Sequence, residues 1–155
     1  MTYSTMTSNP FTCRDEATLS LSKRLIFGVL GGGVLALLVT AWMLRPDPSG
    51  MGTHQQLGLP ACTIAVLFDK PCPSCGMTTS WSYLTQGKVL SALKANAGGA
   101  MLGVIAACFA PWALIASIRG RFPWGVPSDE WLLGGTLFLI GVILVNWGVR
   151  LYWTW

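Results

Sequence analysis

The chain has 155 residues, of which 52% are hydrophobic and only 10% are charged, and its formal net charge is +4. A soluble domain carries about a quarter charged residues, so the composition argues against a water-soluble enzyme. All the charged side chains lie outside three apolar stretches, residues 25–44, 97–118 and 131–149. Because crossing a hydrocarbon core takes roughly 20 apolar residues, we predict an all-α integral membrane protein with three transmembrane helices over these stretches.

Residues 1–24 make a polar tail rich in Ser and Thr, and the basic pair Lys23 and Arg24 directly precedes the first apolar stretch. A signal peptide begins similarly, but its apolar core is usually about 7 to 15 residues long, so we predict an uncleaved helix. The basic pair before this helix, against Arg45 alone after it, predicts a cytoplasmic amino terminus in a bacterial inner membrane. The loop that follows would then be extracytoplasmic.

That loop, residues 45–96, contains short helical segments. A helix over residues 77–86 is predicted because Met77, Trp81 and Leu84 share one face. The other segments are a Pro- and Gly-rich loop over 45–52, an apolar run over 59–68, a turn over 69–76 and an amphipathic segment over 88–96. We predict that they form a helical hairpin containing cysteines at the membrane interface.

The last two apolar stretches are joined by a short loop over residues 119–130 and therefore form an antiparallel pair. Residues 150–155 end the chain with aromatic side chains, and Trp131 begins the third stretch. Aromatic residues at both ends of a span are typical of membrane interfaces.

Three of the five cysteines cluster in the loop, as Cys62, Cys72 and Cys75. In the turn that holds Cys72 and Cys75, Pro73 rigidifies the backbone and Gly76 lets it fold over the second sulfur, as in zinc knuckles. The single histidine, His54, would complete a tetrahedral zinc set with the three cysteines. A second Cys-x2-Cys pair is absent, so a structural disulfide and a Cys72–Cys75 redox pair stay open as alternatives.

Small residues recur on one face of each predicted span. They are Gly28, Gly32, Gly99, Gly103, Gly134, Gly141 and Gly148. Such faces let helices approach closely, and internal packing of the three spans is the simplest interpretation, although they would also fit a partner helix, a pigment or a lipid. Asn146 is a strongly polar side chain within the third span, where we expect an interhelical hydrogen bond.

Neither a nucleotide nor a nucleic acid is expected as a ligand. The run Gly31-Gly32-Gly33 lacks the Lys and the Ser or Thr that would follow in a phosphate-binding loop. The basic residues lie scattered at span ends, which fits anionic lipid headgroups, and we expect no nucleic acid as a partner.

Three short segments and one further residue of the loop follow the pattern of a known family. They are Leu59-Pro60-Ala61-Cys62, Pro71-Cys72-Pro73-Ser74-Cys75-Gly76-Met77-Thr78-Thr79-Ser80, Gln86-Gly87-Lys88 and Asn96. The sequence resembles a bacterial family of small membrane proteins known as domain of unknown function 2752. Two positions depart from the family pattern, since Thr79 stands where the family usually has Arg and Ala97 where it usually has Pro. The resemblance implies a membrane location and a special role for the cysteine turn, and it implies no reaction.

We therefore predict a non-enzymatic accessory, assembly or scaffold subunit of a larger bacterial membrane complex. Its partners would be other membrane proteins and the lipid bilayer, with the cysteine turn as a rigid docking element. The alternatives are a membrane thiol-disulfide oxidoreductase that uses Cys72 and Cys75, and a binding module stapled by zinc. No catalytic residue is assigned, because no general base adjoins the cysteines in the sequence.

Overall fold

The computed structural model describes residues 18–123 and 129–153. Residues 1–17 of the polar tail, which include Cys13, lie outside the described residues. Residues 124–128 of the predicted loop over 119–130 also lie outside them. Within them, every regular element is helical: α1 (Leu21–Met43), a short 3₁₀ helix (Thr53–Leu57), α2 (Thr63–Phe68), α3 (Met77–Thr85), α4 (Val89–Ala95), α5 (Ala97–Arg119) and α6 (Asp129–Trp153). The predicted all-α fold is confirmed.

Three of these helices are long and apolar enough to cross a membrane. Each contains a 23-residue segment, and an 18-residue stretch within it has a mean hydropathy of 2.2 in α1, 2.1 in α5 and 2.0 in α6. At about 1.5 Å per residue, such a segment exceeds the roughly 30 Å of a hydrocarbon core. The chain is an integral membrane protein. Helix α1 begins at Leu21, before the predicted start of the span, so Lys23 and Arg24 lie in its first turn.

Helices α1 and α5 are antiparallel and pack closely through small residues. A Cβ added at Gly31 would lie 3.1 Å from the Cβ of Ala113 and 3.2 Å from the carbonyl oxygen of Ala110. Both alanines are fully buried. One residue further along α1, a Cβ at Gly32 would meet nothing within 4 Å. An added Cβ at Gly28 would likewise lie 2.9 Å from the Ser117 hydroxyl oxygen. The contact with α5 therefore involves Gly28 and Gly31, while Gly32 faces open space.

At the carboxyl end of α5, the Arg24 side chain links α1 to α5 by hydrogen bonds. Its guanidinium donates to the carbonyl oxygens of Ser117, at 2.8 Å, and Ile118, at 2.9 Å. In return, the Ser117 hydroxyl donates to the Arg24 carbonyl oxygen at 2.7 Å. A cation at a helix carboxyl end satisfies carbonyls that have no partner within the helix and is favoured by the helix dipole.

At the opposite end, α3 lies against α1, α4 and α5. Its buried side chains are small hydroxyls that reach the ends of neighbouring helices. Ser80 donates to the carbonyl oxygens of Ala92, at 3.0 Å, and Asn96, at 3.1 Å. Ser82 donates to the carbonyl oxygen of Leu44 at 2.8 Å. Helix α3 is thus attached by hydrogen bonds to the carboxyl ends of α1 and α4.

Two helices make few internal contacts. None of the six residues of α2 is buried, and the membrane-length segment of α6 has no buried residue. Helix α6 approaches α5 where Gly98 faces Ile143, with no room for a Cβ. The predicted packing glycines of α6, Gly134, Gly141 and Gly148, have nothing within 4 Å of an added Cβ.

Asn146 lies on α6 beside a groove of about 520 Å³, which is also lined by Ala97 of α5. Its side chain makes no hydrogen bond within the described part of the chain, so the expected interhelical bond is not formed there.

Candidate thiol site

Three cysteine sulfurs converge at the end of the molecule where α1 ends and α5 begins. The Cys72 sulfur lies 3.1 Å from that of Cys75 and 3.5 Å from that of Cys62. All three sulfurs lie within 4.8 Å of one another. Cys72 and Cys75 are buried and Cys62 is half-buried. Among the described residues this group contains no histidine or carboxylate, and we call it the thiol site.

Tight local turns bring these sulfurs together. Cys62 precedes the first residue of α2, and the Cys75 amide donates to the Cys72 carbonyl oxygen at 3.0 Å, which closes the turn. Gly76 follows with φ of +85°, and a Cβ there would lie 2.6 Å from the carbonyl oxygen of Gly50 and 2.7 Å from that of Ala95. Only glycine fits both this conformation and the space between two backbone segments.

Asn96 holds the turn against the start of α5. Its side-chain nitrogen donates to the carbonyl oxygens of Pro73, at 3.2 Å, and Cys75, at 3.1 Å. Its side-chain oxygen accepts a hydrogen bond from the Gly99 amide at 2.8 Å, which caps the helix. One buried side chain therefore satisfies the cysteine turn and the helix amino terminus together.

Helix α6 holds the same turn from the other side. The Trp147 indole donates to the carbonyl oxygen of Pro71 at 2.8 Å, and Arg150 donates to that of Cys75 at 2.7 Å. Residues 71, 73 and 75 thus each have a carbonyl that accepts a hydrogen bond from α6 or from Asn96. These bonds fix the backbone that carries Cys72 and Cys75.

The sulfurs of Cys72 and Cys75 differ in their affinity for a proton. Burial by itself raises the pKa of Cys72, but hydrogen bonds with the Ser74 hydroxyl, 3.2 Å away, and with the Cys75 thiol outweigh it and lower the pKa to about 7. Burial and the hydrogen bond to Cys72 raise the pKa of Cys75 to about 12. At neutral pH, Cys72 is therefore partly a thiolate and Cys75 is a thiol beside it.

A cavity of about 620 Å³ borders the thiol site. Its lining includes all three cysteines together with His54. The Nε2 atom of His54 lies 3.1 Å from the Pro60 carbonyl oxygen, and the imidazole does not join the group of sulfurs. His54, predicted as a fourth ligand, therefore borders the cavity without joining the three sulfurs.

One segment of the chain matches a protein family, and it contains the cysteine turn, α2 to α4 and the first part of α5. Residues 62–110 match a family described as Protein of unknown function (DUF2752). The resemblance predicted from the sequence is confirmed. The matched segment starts at Cys62 and ends within α5, so it contains the whole thiol site but neither α1 nor α6. No curated protein and no solved structure matches the chain.

The two departures from the family pattern have a structural setting. Thr79 is buried, and its hydroxyl lies 2.8 Å from that of Thr53 in the 3₁₀ helix. Ala97 is the first residue of α5, a position where proline is also favoured because its missing amide has no partner within the helix. Alanine therefore preserves the start of the span, and Thr79 joins the loop to α3.

The sequence pattern includes Asn96 in the resemblance but predicts no contact for it, and it predicts an interfacial position for Trp147 but no contact of Trp147 or Arg150 with the cysteine turn. A signal for Asn96 was present, since asparagine directly before an apolar stretch is a favoured helix cap. No local signal could reveal Trp147 or Arg150, which lie more than 70 positions from the turn they contact. Their role depends on how α6 packs.

Proposed function

We propose that the protein is a non-enzymatic accessory subunit in the membrane whose thiol site holds one thiophilic metal ion. The supporting observation is the convergence of three sulfurs within 4.8 Å. A disulfide, with a bond of about 2.0 Å, would join two sulfurs and leave the third unpaired. A metal ion uses all three, and zinc–sulfur bonds of about 2.3 Å in a tetrahedron place sulfurs about 3.8 Å apart, near the spacing here.

The surroundings of the site support an accessory role over catalysis. Helix α2 has no buried residue of its own, and Cys62 at its start reaches the other two cysteines. A metal ion would therefore tie α2 to the rest of the protein. Val66, Leu67 and Phe68 on this helix are each more than two-thirds exposed. The ion would fix the position of an apolar surface suited to lipid or to another membrane protein.

Metal analysis of the full chain tests this proposal. The protein is purified in mild detergent without oxygen, and its metal content is measured together with its intact mass under native conditions. We expect about one ion per chain, lost when Cys62 or Cys72 is changed to serine. Cys108→Ser is the control, because Cys108 lies exposed on α5 and should not affect binding. Normal stability without any metal and with three free thiols would contradict the proposal.

A second candidate, thiol-disulfide exchange, is favoured by the central position of Cys72 between two other sulfurs. The Cys72 thiolate would attack a disulfide of a substrate protein, forming a mixed disulfide and releasing one substrate thiolate. The Cys75 or Cys62 sulfur would then attack Cys72, forming an internal disulfide and releasing the second substrate thiolate. Two electrons pass to the substrate, and the attacking thiol's proton goes to the departing sulfur.

The pH dependence of alkylation tests this candidate in metal-free protein. Because the thiolate is the reactive form, the alkylation rate of Cys72 should rise with pH and reach half its maximum near pH 7, following its lowered pKa. An ordinary thiol would respond near pH 8.5. Peptide mapping after alkylation identifies the residue. Ordinary pH dependence, with no internal disulfide after treatment with oxidised glutathione, would exclude this candidate.

A further inference from the structure

The cavity beside the thiol site carries more sulfur than the three cysteines. Met51, from the loop after α1, and Met77, the first residue of α3, line the same cavity. Thioether sulfur is a soft and polarizable ligand. Five sulfur-containing residues therefore line one cavity, contributed by three separate parts of the chain.

Asp47 and His54, the harder ligand groups in this cavity, each make a hydrogen bond away from the sulfurs. An Asp47 carboxylate oxygen accepts a hydrogen bond from the Ser49 amide at 2.8 Å. The His54 ring nitrogen lies 3.1 Å from the carbonyl oxygen of Pro60. Both residues line the cavity, yet neither joins the three sulfurs. The metal-ligand side chains that do converge are the three cysteine thiols, which are soft donors.

The number of ligands also distinguishes between metals. Structural zinc sites are almost always four-coordinate, and among the His, Cys, Asp and Glu side chains of the described residues only three, all of them thiols, come together at the thiol site. Thiolate and thioether ligands select copper(I). We propose that the ion held by the thiol site is copper(I), bound by Cys62, Cys72 and Cys75 with Met51 and Met77 as auxiliary thioether ligands. This inference rests on the proposed function, because it specifies the ion at the same three cysteines.

Titration of the metal-free full chain tests the identity of the ion. The protein in detergent is titrated without oxygen, with copper(I) alone and with zinc(II) alone, each against a chelator of known affinity. We expect one copper(I) per chain, bound in preference to zinc(II). The double variant Met51→Leu and Met77→Leu should weaken copper(I) binding about tenfold and leave zinc(II) binding unchanged, because only the soft ion uses thioethers.

Leucine nearly conserves the volume of methionine, so the double variant should fold. Met43→Leu is the matched control, because Met43 is 73% exposed on α1 and should leave binding unchanged. A thermal melt of each variant in detergent verifies folding. If loss of the two methionines leaves copper(I) affinity unchanged, or if zinc(II) binds in preference, the copper inference is overturned while metal binding by the cysteines stands. If neither ion binds, the proposed function itself fails.

Discussion

Helices α5 and α6 have similar mean hydropathy and both carry regularly spaced glycines, but these glycines have different surroundings. In α5, added Cβ atoms at Gly99 and Gly103 would meet Met77, Trp81 and Leu84 at 3.3 Å or less. In α6, a Cβ atom added at any of its glycines would meet nothing within 4 Å. Glycine spacing identifies a helix face that a neighbour can approach closely, but it does not show whether the same chain supplies that neighbour.

Position within the fold explains the difference. Helix α5 contacts α1, α3, α4 and α6, so it is surrounded by partners. Among the described residues, α6 contacts α5 and also reaches the cysteine turn near its carboxyl end, through Trp147 and Arg150. Eight residues of α5 are buried, whereas the membrane-length segment of α6 has no buried residue, and this difference reflects the arrangement of the two helices.

The most crowded glycine gives the largest expected effect. Gly76→Ala places a methyl group against the Gly50 and Ala95 carbonyl oxygens at positive φ, and should lower the free energy of unfolding by about 4 kcal/mol. Thermal unfolding in detergent, followed by circular dichroism, measures it. Gly87→Ala is the control, since Gly87 has a similar φ of +77° but open space, and should cost about 1 kcal/mol. Equal losses would show that crowding at Gly76 is unimportant.

A bulky residue in α5 should have the next largest effect. A Cβ at Gly103 would lie 2.7 Å from Leu84 and 3.2 Å from Trp81, so Gly103→Leu should destabilise the protein by about 3 kcal/mol through overpacking. The same thermal melt provides the measurement. An unchanged melting temperature would mean that α3 moves away from α5 with little loss of folding free energy.

The carboxyl end of α6 should show a smaller effect. Trp147→Phe keeps an aromatic ring but removes the hydrogen bond to the Pro71 carbonyl oxygen, at a cost of about 1 kcal/mol. Faster hydrogen exchange in the cysteine turn, measured by mass spectrometry, would locate the change. Exchange that increases only within α6 would argue that the helix does not stabilise the turn.

The smallest effect is expected along the open face of α6. Gly141→Leu should change the free energy of unfolding of the isolated chain by less than about 0.5 kcal/mol, because its side chain enters open space. Comparison with Gly103→Leu in the same melt separates the two helices directly. A loss as large as that of Gly103→Leu would reveal a close neighbour at this face.

The sequence predicts the membrane helices well, because their length and lack of charge follow directly from the thickness of a bilayer. It also indicates the cysteine turn, since Pro73 and Gly76 restrict how the backbone can fold locally. It does not reveal that Arg24 closes the α1–α5 pair or that Trp147 holds the turn, because both contacts join residues more than 70 positions apart. Nor can a stripe of glycines show which side of α6 faces α5.

The hydrogen bonds from Trp147 and Arg150 also order events during synthesis of the chain. The cysteine turn leaves the ribosome about 75 residues before these donors do, so its Pro71 carbonyl initially lacks its protein partner. Only after α6 has emerged and inserted can the turn acquire its full set of bonds. A nascent chain that stops after α5 would therefore carry all three cysteines on an incompletely supported turn.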